Sequence, residues 1–335
     1  MWKVSNNKNK EFLDKFHSKI SIPLFNFIIK LKENSYSKVD FEGFEKEVLK
    51  LLNTNFPIVL FKKKYKEKKC YELILDLLKA NTLKELKEQK LIFENENRRI
   101  NAGNYSLTPD NVPEELYRIF SNILYVQCFD DDKCWEYIEA GVTFYRKDFH
   151  SNFKSDNKDR TICSLCDTDT VIAKSNGIVE HFLPRNKFPY LSMNANNLTT
   201  SCNACNLREE GKGPFSVNPI WSPFSRQIGD DIKFKIEPDK ILISPRIGNI
   251  AIDNYIDLLK LNNRFSTKSV YNTSIIRLNA EISMHNQLSS KMSVDDLLSF
   301  FINNLEVRKN EGFYFLKKNY FGDNYEKYLE ELKTI

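Results

Sequence analysis

The feature that most constrains the fold of this chain is a pair of Cys-x-x-Cys motifs. They are Cys163-x-x-Cys166 and Cys202-x-x-Cys205, and 35 residues lie between them. A Cys-x-x-Cys turn directs two thiolates at one point, and two such turns complete the tetrahedral sulfur shell that Zn²⁺ prefers. Four thiolates leave no open coordination position for catalysis. We therefore predict a structural Zn²⁺ that holds the polypeptide between the two motifs in place.

The other three of the seven cysteines lie apart from these motifs. Cys70, Cys128 and Cys134 are scattered among apolar residues, which is typical of buried core thiols. The first residues, MWKVSNNKNKEF, lack the apolar core of a signal peptide, and the apolar run that follows is shorter than the ~20 residues of a membrane-spanning helix. We therefore expect a cytoplasmic protein that does not bind membranes. Disulfides are disfavoured in that compartment, which favours metal binding by clustered cysteines.

Composition excludes several other classes of protein. With 335 residues the chain is long enough for two or three folded units. Its hydrophobic fraction of 41% and aromatic fraction of 13% provide material for real cores and argue against an intrinsically disordered chain. The net charge of +5 comes from 50 basic and 45 acidic residues. This small positive excess is compatible with a polyanionic partner but does not by itself indicate one.

The pattern of apolar residues predicts an α+β protein with three regions. Residues 1–150 are predicted to be mainly helical. Residues 151–226 are polar and rich in turn-forming residues, and they contain both cysteine motifs. Residues 227–335 are predicted to form a β-hairpin followed by helices.

Several elements within these regions have clear local signals. Helical spacing of apolar residues is strong in residues 41–52 and 71–88, and a third helix is predicted to have Pro113 in its first turn. Residues 231–243 alternate between apolar and polar and are interrupted by Pro-Asp, which predicts a hairpin. Ser293, which precedes an Asp by three residues, is a typical N-cap for the helix that follows it.

Two charged runs and one glycine-rich segment have simpler interpretations than a binding site. The basic run at residues 62–69, KKKYKEKK, is best interpreted as a solvated helix face or loop, with a nucleic-acid contact as the alternative. The acidic run at residues 130–132 is best interpreted as a helix cap or loop, because no partner ligand lies near it in the sequence. The segment GKGP at residues 211–214 lacks the flanking spacing of a phosphate-binding loop.

The stretch between and after the cysteine motifs carries a second pattern. It reads VEHFLPRNKFP and then NNLTTSCNACN, so that Asn197 follows His181 by 16 residues and Asn206 directly follows the second motif. These residues resemble the HNH, or ββα-metal, endonuclease family. The pattern of that family is an acid or His, a His before an apolar residue and Pro, then Asn-Leu, then Cys-x-x-Cys followed by His or Asn. The resemblance implies a zinc-stapled ββα-metal core at residues 151–226, embedded between mainly helical N- and C-terminal regions.

The resemblance also implies roles for individual residues. His181 would be the general base, because a neutral imidazole titrates near the working pH of such an enzyme. Asn197 would shape the loop that orients His181. Glu180 and Asn206 would ligate one Mg²⁺ or Mn²⁺ through oxygen, the ligand atom that hard divalent cations select. Asn206 stands where many members of the family have His, so this chain would be an HNN variant.

The remaining histidines and the basic residues near the motif give weaker signals. Three histidines show no partners in the sequence and are predicted to be ordinary surface or core residues: His17, His150 and His285. Four basic residues flank the motif and are candidates for contacts with the phosphates of a nucleic acid: Arg185, Lys187, Arg208 and Lys212.

The function that the resemblance implies is a metal-dependent endonuclease that hydrolyses phosphodiester bonds in DNA with low sequence specificity. Among HNH proteins, the sequence is similar to nucleases of bacterial antiphage defence, including the Septu-type nuclease subunit, which works beside an ATPase. This similarity implies a partner ATPase, and residues 1–150 would bind such a partner or nucleic acid. One site would nick one strand, so double-strand cleavage would need a homo-oligomer or a second event.

Two alternatives remain open at this level. The same base and metal would serve RNA, including tRNA, because the sequence does not reveal whether a 2′-hydroxyl is required. The other alternative is a non-catalytic zinc module that binds nucleic acid or a protein partner. The presence of Glu180, His181 and Asn206 together argues against the second alternative. A site that had lost its catalytic function would have no chemical reason to keep all three residues.

Overall fold

Helices and short pairs of strands build this chain. The computed structural model describes residues 1–35, 43, 58–171, 177–289 and 291–323. Across these ranges the helices are accompanied by three two-stranded sheets. The predicted α+β class is confirmed at this level. None of the described helices is long and apolar enough to cross a membrane.

The chain divides into two compact units, and each is assembled from segments that are distant in sequence. The histidine unit consists of residues 5–156 and 179–199. The cysteine unit consists of residues 1–4, 157–178 and 200–335. The region boundaries near residues 150 and 226 stay predictions.

The histidine unit is mainly helical. Its described helices are α1 (Asn7–Phe16), α2 (Ile22–Glu33), α3 (Ile58–Phe61), α4 (Cys70–Ala80), α5 (Leu83–Asn101), α6 (Glu114–Tyr117), α7 (Asp132–Ile138) and α8 (Arg146–Asp156). Two π-helical stretches adjoin them, His17–Ser21 between α1 and α2 and Arg118–Cys128 after α6. The strands β1 (Lys64–Tyr65) and β2 (Lys68–Lys69) pair with each other. The strands β3 (Ile178–His181) and β4 (Leu198–Ser201) also pair, and residues 179–181 and 198–199 of them belong to this unit.

The helical pattern at residues 71–88 belongs to two helices rather than one. Helix α4 ends at Ala80, and Thr82 caps the start of α5. The Thr82 hydroxyl accepts a hydrogen bond from the Glu85 amide at 3.2 Å, and the Glu85 carboxylate accepts one from the Thr82 amide at 2.6 Å. This reciprocal capping box begins a new helix although the leucine spacing continues across the junction.

Two other helix predictions have different outcomes. Pro113 is the N-cap of α6 and so lies one position before the first turn in which it was predicted. The helix continues through the predicted apolar positions, but as the π-helical stretch Arg118–Cys128. The helix predicted at residues 41–52 lies outside the described residues apart from Gly43.

The two charged runs adopt compact local structures. The basic run forms the β1–β2 ribbon, not a helix face, and Lys66 at its turn has a left-handed φ of 52°. Lys63 pairs with Asp131 at 2.6 Å. Asp131 also caps α7 by accepting a hydrogen bond from the Cys134 amide at 2.9 Å, which confirms the predicted helix cap.

An aromatic cluster holds the loop between β3 and β4. The ring of Tyr190, in this loop, lies 5.5 Å from Phe25 of α2, 5.9 Å from Phe93 of α5 and 5.0 Å from Phe120. All four rings are buried. The Tyr190 hydroxyl donates a hydrogen bond to Gln89 of α5 at 2.7 Å. Buried edge-to-face pairs of this kind contribute about 0.5–1.5 kcal/mol each beyond the burial of their area, so the loop is firmly anchored.

The cysteine unit combines one hairpin with helices. Its described helices are α9 (Asn203–Asn206), α10 (Ile250–Leu258), α11 (Leu261–Phe265), α12 (Lys268–Ser289), α13 (Val294–Val307) and α14 (Tyr314–Asp323). The strands β5 (Ile232–Ile236) and β6 (Ile241–Pro245) form an antiparallel pair with Ile236 opposite Ile241, which confirms the predicted hairpin. Ser293 caps α13 by accepting a hydrogen bond from the Asp296 amide at 3.2 Å, as predicted.

Candidate metal centre and histidine site

The four motif cysteines converge in the cysteine unit. All four sulfur atoms lie within 4.8 Å of one another, and all four residues are buried. The Sγ atoms of Cys163 and Cys205 are 3.8 Å apart, and so are those of Cys166 and Cys202. Four sulfurs bound to Zn²⁺ at about 2.3 Å in a tetrahedron are about 3.8 Å apart, whereas a disulfide would bring two of them to about 2.05 Å. The cluster could therefore hold one zinc ion.

The remaining cysteines behave as predicted. Cys70, Cys128 and Cys134 are free thiols, fully buried in the histidine unit. Burial raises the pKa of Cys70 to about 12, so this thiol stays protonated at neutral pH. These three cysteines are core residues and do not belong to the four-cysteine cluster.

Hydrogen bonds from the surrounding chain point at the cluster sulfurs. The Thr168 hydroxyl donates to Sγ of Cys166 at 3.1 Å, and the Cys202 amide donates to Sγ of Cys163 at 3.4 Å. The first Cys-x-x-Cys turn is closed by the Asp167 amide, which donates to the Cys163 carbonyl at 3.0 Å. Donors aimed at sulfur stabilise the thiolate form, which is the form that binds metal.

Asp167 ties the first turn to both ends of the cysteine unit. Its carboxylate accepts hydrogen bonds from Nε1 of Trp2 at 2.8 Å and from the Phe315 amide at 3.0 Å. Its backbone has a left-handed φ of 61°. Burial raises the pKa of Asp167 to about 7, although these hydrogen bonds oppose the shift.

The second Cys-x-x-Cys turn packs against a glycine. Cys202 precedes α9, and the chain folds back so that the Lys212 amide donates to the Cys205 carbonyl at 3.0 Å. A Cβ atom on Gly211 would lie 2.4 Å from the carbonyl oxygens of both Ala204 and Cys205. No side chain fits there, so the glycine of the GKGP segment serves close backbone packing around the cluster.

Two basic residues hold the loop that follows this turn: Lys260, the N-cap of α11, and Arg264 within α11. Lys260 donates to the carbonyls of Arg208 at 2.7 Å and Glu209 at 3.1 Å. Arg264 donates to the Glu210 carbonyl at 3.0 Å and, through Nη1, to Sγ of Cys205 at 3.0 Å. Burial favours the neutral form of Arg264, but the charge of the nearby thiolates outweighs it, and the pKa of Arg264 is raised. Sequence reasoning missed both residues, whose only local signal is their i, i+4 spacing beside the apolar residues of a short helix.

The predicted base lies in β3 of the histidine unit. Glu180 and His181 are 8% and 4% exposed. Nε2 of His181 lies 3.0 Å from the carbonyl oxygen of Ser192. A carbonyl oxygen only accepts, so Nε2 carries a proton and the lone pair of the neutral ring lies on Nδ1. The ring of Tyr125 meets the imidazole edge-on with centroids 4.3 Å apart, and its hydroxyl donates to the Val179 carbonyl at 3.0 Å.

Asn197 fixes the chain that leaves β3. Its Oδ1 accepts a hydrogen bond from the Leu183 amide at 2.7 Å, and its Nδ2 donates to the Leu183 carbonyl at 2.9 Å. Its backbone carbonyl accepts from the Phe182 amide at 2.8 Å. The side chain is fully buried. The side-chain amide of Asn197 therefore binds both the backbone amide and the backbone carbonyl of Leu183, which lies two positions after His181.

Two guanidinium groups lie beside Tyr125, and that of Arg146 is also paired with Asp130. The guanidinium groups of Arg146 and Arg185 lie 4.8 Å and 5.3 Å from the centroid of its ring. Burial raises the pKa of Tyr125, Arg146 opposes the shift and the charge of Glu180 adds to it. Arg185 also donates to the Ser121 carbonyl at 2.7 Å. Two guanidinium groups therefore lie near the strand that carries Glu180 and His181, and Arg146 was not among the residues predicted from the sequence.

The other predicted site residues have separate surroundings. Asn206 is half-buried at the end of α9 in the cysteine unit. Lys187 is half-buried, and Arg208 is exposed with its guanidinium 5.4 Å from the ring of Phe215. Lys212 is buried and its ammonium group donates to the Gly213 carbonyl at 3.1 Å. A phosphate contact through Lys212 would require this loop to move, so the exposed Arg208 is the better placed of the two.

Comparisons of the chain with family profiles, with curated proteins and with solved structures give no significant match. Any function therefore has to be argued from the residues and their geometry. Two features offer that argument, the four-cysteine cluster and the oriented histidine beside an acidic residue.

Proposed function

We propose that this chain is a metal-dependent endonuclease of the HNH type, with His181 as the general base. The observation that carries the proposal is the hydrogen bond from Nε2 of His181 to the Ser192 carbonyl. It selects the tautomer in which Nδ1 accepts a proton. General-base catalysis of this kind contributes about 10²–10⁴-fold to a rate.

The order of elements supports the same proposal. Strands β3 and β4 pair, and the short helix α9 follows β4 directly, which is the sequence of a ββα unit. The cysteine motifs bracket the strands in the chain, so a zinc ion in the cluster would restrain the connections at both ends.

Glu180 is the proposed ligand of the catalytic cation in the histidine unit, and Asn206, which the resemblance also implies as a ligand, lies in the cysteine unit. Both offer side-chain oxygen, the donor type that Mg²⁺ and Mn²⁺ take. A bound cation of this kind would supply Lewis-acid stabilisation to a phosphodiester. Arg185 adds positive charge near β3, which favours a phosphate-containing substrate, whereas the charge of Arg146 is paired with Asp130.

DNA is the proposed substrate, and a partner ATPase is proposed to direct the nuclease to it. Both extend the resemblance of the EHFLP and SCNACN segments to antiphage nucleases. RNA remains the alternative substrate, because the same base and cation would serve either sugar.

One observation favours a different function. Glu180 and His181 expose only 8% and 4% of their surface. A base must reach its substrate, so a zinc module that binds nucleic acid or protein without cutting it is the second candidate.

One experiment separates these candidates. The full chain is purified and incubated with Mn²⁺ or Mg²⁺ and with supercoiled plasmid, linear DNA or structured RNA. We expect nicking of DNA that depends on the cation and that falls at least 100-fold in His181→Ala. The matched control is His150→Ala, which removes a half-buried histidine of α8 from the same unit. Equal cleavage by His181→Ala would refute the assigned base, and binding without cleavage by the wild-type chain would favour the zinc module.

A further inference from the structure

We infer that Arg264 is a positioning residue of the cysteine cluster, where it binds the sulfur of Cys205 and offsets part of the negative charge of a four-cysteine zinc site. The inference rests on zinc binding by the cysteines and does not depend on nuclease activity. Three observations carry it: the contact with sulfur, the burial of both partners and the second hydrogen bond of the same guanidinium group.

The charge of the site requires compensation. Four thiolates around one Zn²⁺ carry two net negative charges. The four cysteines are at most 3% exposed, so water does little to screen that charge. Burying an ionic group without a partner is strongly unfavourable. Arg264, itself 6% exposed, places a permanent positive charge 3.0 Å from Sγ of Cys205.

The direction of the guanidinium group is set by a second contact. Nη2 of Arg264 donates to the Glu210 carbonyl at 3.0 Å while Nη1 donates to Cys205. The planar group therefore joins the sulfur to the loop that follows the second cysteine turn. A lysine ammonium is a point charge on a flexible stem and lacks the fixed fork that serves both contacts at once.

Lys260 provides a natural comparison. It lies four residues before Arg264, and its ammonium group binds the carbonyls of Arg208 and Glu209 in the same loop. These two hydrogen bonds go to carbonyl oxygen, whereas those of Arg264 include sulfur. A role in holding the loop is thus common to both residues, and the contact with a cluster sulfur is the property assigned to Arg264.

The experiment measures metal binding by the full chain. Zinc affinity is obtained by competition with a chromophoric chelator for the wild type, Arg264→Met, Arg264→Lys and Lys260→Met. Hydrogen-bonding partners of metal ligands typically contribute 10–100-fold to metal affinity, so we expect a loss of about that size in Arg264→Met. Arg264→Lys should lose less because the charge is kept, and Lys260→Met should lose least.

A spectroscopic measurement separates this role from a purely structural one. Co²⁺ in place of Zn²⁺ gives sulfur-to-metal charge-transfer bands that report the electron density on sulfur. Removing a cationic donor from Cys205 raises that density, so the bands should move to longer wavelength in Arg264→Met. They should remain at the wild-type position in Lys260→Met.

Two results would overturn the inference. One is a folded Arg264→Met with wild-type zinc affinity and unshifted Co²⁺ bands. The other is an equal loss of affinity in Lys260→Met and Arg264→Met with identical spectra, because holding the loop would then explain both. If Arg264→Met does not fold, Arg264→Lys is compared with Arg264→Gln. If the charge of Arg264 matters, Arg264→Lys should bind zinc more tightly than Arg264→Gln. Equal zinc affinities of the two variants would refute the inference.

Discussion

The imidazole of His181 donates a hydrogen bond to the backbone oxygen of Ser192, 11 residues further along the chain, at 3.0 Å. Ser192 is itself held by its hydroxyl, which donates to the Pro189 carbonyl at 2.6 Å. The orientation of the histidine therefore depends on the loop between β3 and β4 as much as on the strand that carries it. Substitutions in that loop should therefore change the orientation of the His181 ring even where the substituted residue does not contact it.

Asn197→Ala should destabilise the histidine unit. The substitution leaves the buried amide and carbonyl of Leu183 without their partner, at a cost of about 1–3 kcal/mol for each unsatisfied group. Thermal unfolding followed by circular dichroism measures the change. Asn196→Ala is the control, since its side chain contacts Asn101 near the surface. Equal melting temperatures for the two variants would show that the Leu183 contacts contribute little.

Cys202→Ser should abolish stoichiometric zinc binding and lower the melting temperature of the cysteine unit. The cluster loses one of four thiolates, and metal binding contributes directly to folding. A chelator added to the wild type should have the same effect. Zinc content is measured by atomic emission, with Cys70→Ala as the control that removes a buried thiol outside the cluster. A Cys202→Ser protein that keeps one zinc per chain would contradict the assignment.

Gly211→Ala should weaken the second cysteine turn. The added methyl group would meet the carbonyl oxygens of Ala204 and Cys205 at 2.4 Å, so the backbone must shift, at a cost of about 1–3 kcal/mol. Zinc affinity and chemical denaturation both report the change. Gly248→Ala is the matched control, because a Cβ there meets no atom within 4 Å. If Gly211→Ala binds zinc as tightly as Gly248→Ala, the close approach is not important for the site.

Glu96→Gln should change how stability depends on pH. Burial, with a smaller effect of Asp110, raises the pKa of Glu96 from 4.5 to about 8, and among the described residues neither carboxylate oxygen has a hydrogen-bond partner. Between these values the unfolded chain has lost the proton that the folded chain keeps. The free energy of unfolding should therefore fall by about 1.4 kcal/mol for each pH unit in that window.

Glutamine keeps the shape of the side chain and removes the titration. Melting temperatures from pH 5 to pH 9 should show Glu96→Gln gaining stability over the wild type as pH rises. Glu94→Gln is the control, because Glu94 is exposed on the same helix. Parallel curves for the wild type and Glu96→Gln would mean that Glu96 keeps an ordinary pKa.

Elements that depend on a few adjacent residues follow from the sequence alone. The β5–β6 hairpin and the Ser293 cap were predicted correctly because a hairpin turn and a helix cap depend on a few adjacent residues. The break between α4 and α5 was missed although Thr82 and Glu85 form a capping box. The leucine spacing continues past it, and periodicity alone does not reveal a helix end.

Contacts between distant residues were not predictable in the same way. Arg264 lies 59 positions from Cys205, and Tyr125 lies 56 positions before His181. Neither residue stands in a motif. Which side chain of a helix meets a sulfur or an imidazole depends on how the helices pack, and helix periodicity defines only the buried face.

By itself, the sequence determined the clustering of the four cysteines and the pairing of an acid with a histidine in the stretch between the two motifs, because short turns and strands place such residues through local geometry. Tertiary structure alone decided what surrounds these groups: the guanidinium of Arg264 on Cys205, the carbonyl of Ser192 on His181 and the close approach of Gly211. Charge compensation, tautomer and steric fit are properties of packed neighbours, and those neighbours come from segments far apart in the chain.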